Sequence, residues 1–339
     1  EMPEYRMAVP EGTQFSEEEL KIKKQFSLDD EQLYWRRWCI KNNCGGDLNL
    51  FHQEYPATPD EAFIASGTPF FNNAVIMERR EAVKNLPCAS GEFTYKRIYD
   101  PETERVTLTD IEWQESESGP VRIFEEPQKG YPYVIGGDTA GDGSDWFAAH
   151  CINNVTGKLC AVIHHKYDED AYAEQVFCLG MYFNKALIGL EINHSTHPTR
   201  KLQDMRYPRI YVREAYDGYE RKVMKKYGFR TDQTSRSVIM ALIKEYMRDT
   251  PENCIDFRTL GEMLTFCKND TGKPESLPGE HDDLVMSLAI TLGIRHQQKA
   301  TAEDLTPRVA WTKDQWEDYH NATAAEKQYL ISIWGKPKR

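Results

Sequence analysis

Four short runs constrain this chain more than anything else in it: "YPYVIGGD" at 131–138, "WFAAHCIN" at 146–153, "LCAVIHHKY" at 159–167 and "ALIGLEIN" at 186–193. Each is close to continuously apolar instead of alternating with polar residues. A strand that reads this way is covered on both faces, so the sheet it joins needs helices on either side. Gly/Asp-rich or "NVTGK" turns separate the first three runs, which suits neighbours joined by tight turns. A helical period follows at about 169–183, with Tyr172, Val176, Leu179 and Phe183 on one side. "HPTRKLQDM" is a short helix begun by His197-Pro198, and "RIYVREAY" at 209–216 is a fifth strand. "GFRTDQTSRSVIMALIKEYMRD" is a long helix with Thr231, Asp232 or Thr234 near its N-cap, and further helices are expected at 259–268 and 281–294.

Three strands, helix, strand, helix, strand, helices is the ribonuclease H-like order. It implies an α/β fold with a mixed five-stranded central sheet flanked by helices, three antiparallel strands being joined to two more through helical crossovers. Residues 131–299 are expected to form this domain. Residues 1–130 read as an irregular linker extension. They hold one helix at about 28–43, a Pro- and aromatic-rich stretch "FHQEYPATPDEAFIASGTPFF", and short strands within 92–130. The tail at 300–339 carries a helix pattern over 315–334, with Trp316, Tyr319, Tyr329, Ile333 and Trp334 as a candidate dock for a partner. The chain begins at Glu1 and not at Met, so it reads as a piece of a longer polypeptide.

Composition narrows the function classes. The chain is 40% hydrophobic and 12% aromatic, which is globular, and no apolar run approaches the length of a membrane span. Eight cysteines lack any CxxC pair, and Cys39 and Cys44 have no nearby ligand partners, so reduced thiols are expected and not zinc. The net charge of −12 argues against bulk nucleic-acid binding, but between Pro198 and Arg248 thirteen Lys/Arg stand against six Asp/Glu. The centre of that excess is "YERKVMKKYGFR" at 219–230, an expected hairpin whose Arg221, Lys222, Lys225, Lys226 and Arg230 could meet a phosphate backbone. The plainer alternative is a solvated basic face.

Carboxylates close or open several of the apolar elements. Asp138 ends the first strand, Glu191 ends the fourth, and Asp282 and Asp283 open the last helix. In a ribonuclease H-like sheet these can converge on one end, where such a cluster repels itself unless cations neutralise it. Mg²⁺ and Mn²⁺ prefer carboxylate oxygen, and two of them about 4 Å apart can clamp a phosphodiester for in-line attack by water. Taken singly, Asp138 could be a turn former and Asp282 or Asp283 a helix cap. Glu191 is harder to excuse, because a lone carboxylate in a buried strand is costly. Adjacent helical residues point about 100° apart, so Asp283 is favoured as the direct ligand and Asp282 as a ligand to a second ion or a supporting group. Asp145, His194 and His281 are candidate supporting residues nearby; Asp142 reads as solvated.

"GGDTAGDGSDW", "GLEIN" and "HDDLVMSLAI", in this order and at these intervals, resemble the nuclease domain of the phage terminase large subunit. "LFHQEYPATPDEAFIASGTPFF" resembles the segment by which that family leaves its ATPase domain, and "GFRTDQTSR" its lead into the helix before the last acidic motif. The likeness covers about residues 30–295. It implies an acidic triad of Asp138, Glu191 and Asp283 with Asp282 close behind, two Mg²⁺ or Mn²⁺ ions, and cutting of concatemeric double-stranded viral DNA. It further implies a small terminase subunit and a portal as partners, and the cytoplasm of an infected bacterium as the location. The chain departs from a full terminase in lacking GxxxxGK[ST], so ATP binding by this fragment is not expected. Competing readings are a Holliday-junction resolvase or integrase-like nuclease, a non-catalytic DNA-binding packaging adaptor, and an actin-like-fold ATPase, which would need a second copy of the Gly/Asp loop.

Overall fold

In the computed structural model the described residues are all but 1–4, 57–67, 103, 140–145, 218–221, 270, 299–309 and 335–339. The chain divides into two compact units, one of residues Glu1–Glu78 with Leu260–Asp282, the other of Arg79–Thr259 with Asp283–Arg339. Among the described residues no helix is long and apolar enough to cross a membrane.

The first unit is more regular than its polar sequence suggests. Besides the expected helix, found at Asp30–Asn42, helices form at Glu17–Phe26 and Leu48–Glu54. Ser16 and Asp29 each close a capping box, which satisfies N-terminal amides that a weakly apolar sequence cannot protect by burial. Cys39, Cys44 and Phe51 form a small core, and burial raises both thiols above their ordinary range. Residues 266–268, expected to continue a helix, are a strand. Phe266–Lys268 pairs with Thr68–Pro69 and Pro274–Ser276, and its Phe266 packs on Phe70 and Phe71.

The second unit is built on one seven-stranded sheet. Its strands are β1 (Ala89–Asp100), β2 (Arg105–Glu115), β3 (Val121–Ile123), β4 (Tyr133–Asp138), β5 (Phe147–Asn153), β6 (Leu159–His165) and β7 (Leu187–Leu190), in spatial order β2-β1-β3-β6-β5-β4-β7. The β6-β5-β4 part is antiparallel, and β7 lies parallel to β4 after a crossover through helix α1 (Glu169–Tyr182). Ile210 then bridges Ile188 in parallel. This is the ribonuclease H-like order. The three strands of 89–123 widen it beyond five. They are tied to α1 where the Gln175 side chain bonds both the N–H and C=O of Phe93, and where buried Glu174 takes Arg97 and the Tyr95 hydroxyl.

The fifth strand departs from expectation. Only Arg209–Tyr211 follows the sheet edge; the rest swings away as β8 (Val212–Asp217), paired with β9 (Lys222–Tyr227) in a separate antiparallel hairpin. Helix α2 (His197–Asp204) precedes this stretch and α3 (Gln233–Asp249), capped by Asp232, follows it. Helix α4 (Asp283–Ile294) packs on β4, β5 and β7, on the face opposite α1. The tail is two helices, Lys313–Asn321 and Ala324–Trp334, and not one. Thr323 and Glu326 form a fresh capping pair after an extended Ala322, so the second helix starts anew. Trp311 gathers Trp316, Tyr319 and Trp334 around it.

Candidate metal-binding face

The pair Gly136-Gly137 explains why β4 can run straight up to an acid. A Cβ on Gly136 would stand 2.3 Å from the backbone nitrogen of Thr291 in α4, and one on Gly137 would stand 2.2 Å from the Tyr172 hydroxyl of α1. Both layers thus touch the strand backbone directly. The contact with α4 is bonded: the Gly136 N–H donates to Thr291 Oγ1 at 3.0 Å, while Thr291's hydroxyl lies 2.7 Å from the Ser287 carbonyl. On the other side the Tyr172 hydroxyl donates to the Ala148 carbonyl at 2.8 Å. Burial first, then the charges of Asp138 and Glu191, push this phenol far above its ordinary value, so it stays a donor.

The register of β4 and β7 sets Gly137 against Leu190, so Asp138 and Glu191 are the next pair in the row. Three bonds hold that end. The Glu191 N–H donates to the Gly137 carbonyl at 2.8 Å, the Thr139 hydroxyl to the Glu191 carbonyl at 3.2 Å, and the Thr139 N–H to the Asp138 carboxylate at 3.0 Å. Glu191 is only 5% exposed, and Asp138 is half-buried. Their row parity with Gly136 and Gly189, both of which face α4, puts the two carboxylates on the α4 face.

Asp283 begins α4 on this face, about 12 Å of helix before Thr291. A second anchor fixes the intervening turn. His150 on β5, fully buried, stands 2.7 Å from Ser287 Oγ through Nδ1 and 2.8 Å from Thr259 Oγ1 through Nε2. Thr259's hydroxyl also donates to Asp256 at 2.9 Å and Ser287's to the Leu284 carbonyl at 3.1 Å, and the imidazole between them is neutral. Burial lowers His150 to about 3, which keeps this neutral form across the ordinary range. Burial works to raise Asp256, but Arg258, His150 and the Thr259 bonds outweigh it and leave that carboxyl below its usual value.

The expected site residues are thus distributed as follows. Asp138 and Glu191 are neighbours, and Asp283 shares their face. Among the described residues these three do not form a group with ligand atoms all within 4.8 Å of one another. Asp282 and His281 belong to the first unit, half-buried and exposed respectively. His194, three residues beyond Glu191, is exposed. Asp145, Asp142 and Arg221 lie outside the described residues, as does the side chain of Lys222. Lys225, Lys226 and Arg230 are exposed on or beside the β8–β9 hairpin. Its base is stitched to the acidic row: Phe229 bridges Glu191, its N–H bonds the Leu190 carbonyl, and Asn193 bonds the backbone of Thr231 in both directions. Lys225 stands opposite Glu214, but Lys226 stands opposite Arg213, a like-charged pair with no carboxylate in its own register position.

Sequence reasoning passed over His164. It occupies the same row as Asp138, since Asp138 pairs with Ala148 and Ala148 with His164. Its ring stacks on Trp146 with centroids 4.5 Å apart, and it and Asp283 offer ligand atoms within 4.8 Å of each other. The signal was available in "LCAVIHHKY", but only a known register says which of the two histidines faces α4.

No family model matches the chain, and no curated protein does. Distant likenesses exist among solved structures. The crystal structure of the large terminase nuclease from thermophilic phage G20c with bound magnesium is 14% identical over 52% of this chain and 88% of that one, with a TM-score of 0.41. The form of the same nuclease with bound cobalt has the same values. The Thermus phage P74-26 large terminase nuclease domain is 14% identical over 52% of this chain and 86% of its own, also at 0.41.

Proposed function

We propose that this chain is the nuclease part of a viral DNA-packaging terminase large subunit, a divalent-metal-dependent endonuclease that cuts concatemeric double-stranded DNA. The observation that carries the reading is that Asp138 and Glu191 directly follow the paired residues Gly137 and Leu190 at the ends of parallel strands β4 and β7, on the face where α4 opens with Asp283. A turn former or a helix cap explains one acid at a time; neither explains a nearly buried Glu beside an Asp in the same row.

The donor set is carboxylate oxygen, which fits Mg²⁺ or Mn²⁺. Asp138, Glu191 and Asp283 would hold two such ions. When bound, the metal lowers the pKa of a water and neutralises charge on the scissile phosphate. The protein's part is to fix the oxygens. The Thr139 N–H orients the Asp138 carboxylate, Phe229 and Gly137 hold the Glu191 backbone, and the Thr291 and His150 bonds set where α4 begins. Asp145 and His194 are assigned supporting roles around the phosphate.

The hairpin supplies the duplex contact. Arg221, Lys222, Lys225, Lys226 and Arg230 meet backbone phosphates, which position DNA without reading its sequence. Cleavage by this chain is accordingly almost sequence-independent, with site choice left to a small terminase subunit and attachment to a portal left to the packaging assembly in the infected cell. The test is supercoiled plasmid incubated with the chain in Mn²⁺, Mg²⁺ or EDTA and no ATP. Nicking and linearisation that need metal, with scattered cut sites, support the proposal. Cutting that survives EDTA contradicts it.

A further inference from the structure

The row that carries the acids continues across β5, and it ends in a histidine. Asp138, Ala148 and His164 are successive partners across β4, β5 and β6, so their side chains rise from the same face, with about 10 Å between the outer two backbones. The residue between them is Ala148, whose methyl leaves the row open from one side chain to the other. α4 lies over that face, and a carboxylate oxygen of its first residue, Asp283, comes within 4.8 Å of a ring nitrogen of His164. One cation with bonds of about 2.1 Å spans such a pair after a small side-chain rotation.

The imidazole is also held in a posture suited to coordination. Trp146 stacks on its ring at 25° between planes, and Lys166 lies over the Trp146 ring at 5.3 Å. Stacking covers one ring face and restrains its rotation, while the two nitrogens stay at the edge, where a metal or a proton binds.

We propose that His164 is a nitrogen ligand, acting with Asp283, to a divalent cation at this face. The inference rests on the nuclease reading above and deepens it. Imidazole favours Mn²⁺, Co²⁺ and Zn²⁺ relative to Mg²⁺, which takes oxygen and water. His164 therefore sets the metal preference of the site, tilting it away from Mg²⁺.

The experiment is calorimetric titration of the full chain with MnCl₂, CoCl₂ and MgCl₂ separately, alongside the visible absorption of the Co²⁺ complex. The variants are His164→Ala and His164→Phe, the second of which keeps a ring to stack on Trp146 and so separates ligation from packing. In both, the ratio of Co²⁺ affinity to Mg²⁺ affinity is expected to fall about tenfold or more. The Co²⁺ spectrum should also lose the signature of a nitrogen donor. An unchanged ratio and spectrum in both variants, in a chain that still cleaves plasmid, overturns the role of His164 alone. Absence of any divalent binding by the unsubstituted chain overturns both this inference and the nuclease reading.

Discussion

At the scale of single residues, His150 shows how the α4 face is paid for in stability. Its folded value near 3 lies below the ordinary 6.5, because burial excludes the charged ring. The unfolded chain therefore binds a proton that the folded chain refuses between about pH 6.5 and pH 3, and stability rises with pH through that window. Above it the contribution is complete. Chemical denaturation at several pH values should show the unsubstituted chain losing stability from pH 6.5 downward. His150→Gln should be less stable at neutral pH and show a shallower slope over the same range. Parallel slopes for the two would mean that another group governs the acid transition. Glu191 is a different case: burying a carboxylate in a strand end costs stability, and a metal site there gives that burial a function.

At the scale of elements, the contact of β4 with α4 is a close backbone-to-backbone joint near the acids. Gly136→Ala would drive a methyl into the Thr291 backbone, which cannot move aside as a side-chain tip can. A loss of about 2 kcal/mol or more in the urea unfolding free energy is expected, and an unchanged midpoint would show that the helix is looser than described. The hairpin makes a separate prediction. Replacing Lys225 and Lys226 together by Ala should weaken duplex binding across unrelated sequences and reduce the slope of log K against log salt by about 2. Loss confined to one sequence would argue for base reading instead.

Elements also show what the sequence could and could not reveal. The strands β4 to β7 were legible because continuous apolar runs bounded by turns are hard to mistake, and Asp138 and Glu191 stood out as acids at their ends. The departure of 212–217 into a hairpin was not legible, since "RIYVREAY" reads as one strand whichever partner it pairs with. His164 and the His150–Ser287 bond depend on register and on helix placement, which no local pattern encodes. The extra helix at 17–26 was hidden by a polar composition, although Ser16 followed by Glu19 carried its capping signal.

At the scale of the whole molecule, a ribonuclease H-like sheet carries two carboxylates at its parallel strand ends, with a third opening the helix above them and a basic hairpin rooted beside Glu191. A chain so built should cut DNA without nucleotide, since nothing in the sequence offers a phosphate-binding P-loop. The most direct measurement is plasmid cleavage in Mn²⁺ by Asp138→Asn beside the unsubstituted chain, with duplex binding followed in parallel. Asparagine preserves shape and removes the charge that holds a cation. Cleavage should fall by at least about a hundredfold while DNA binding persists. Cleavage retained at the original rate by a folded Asp138→Asn chain would contradict the account.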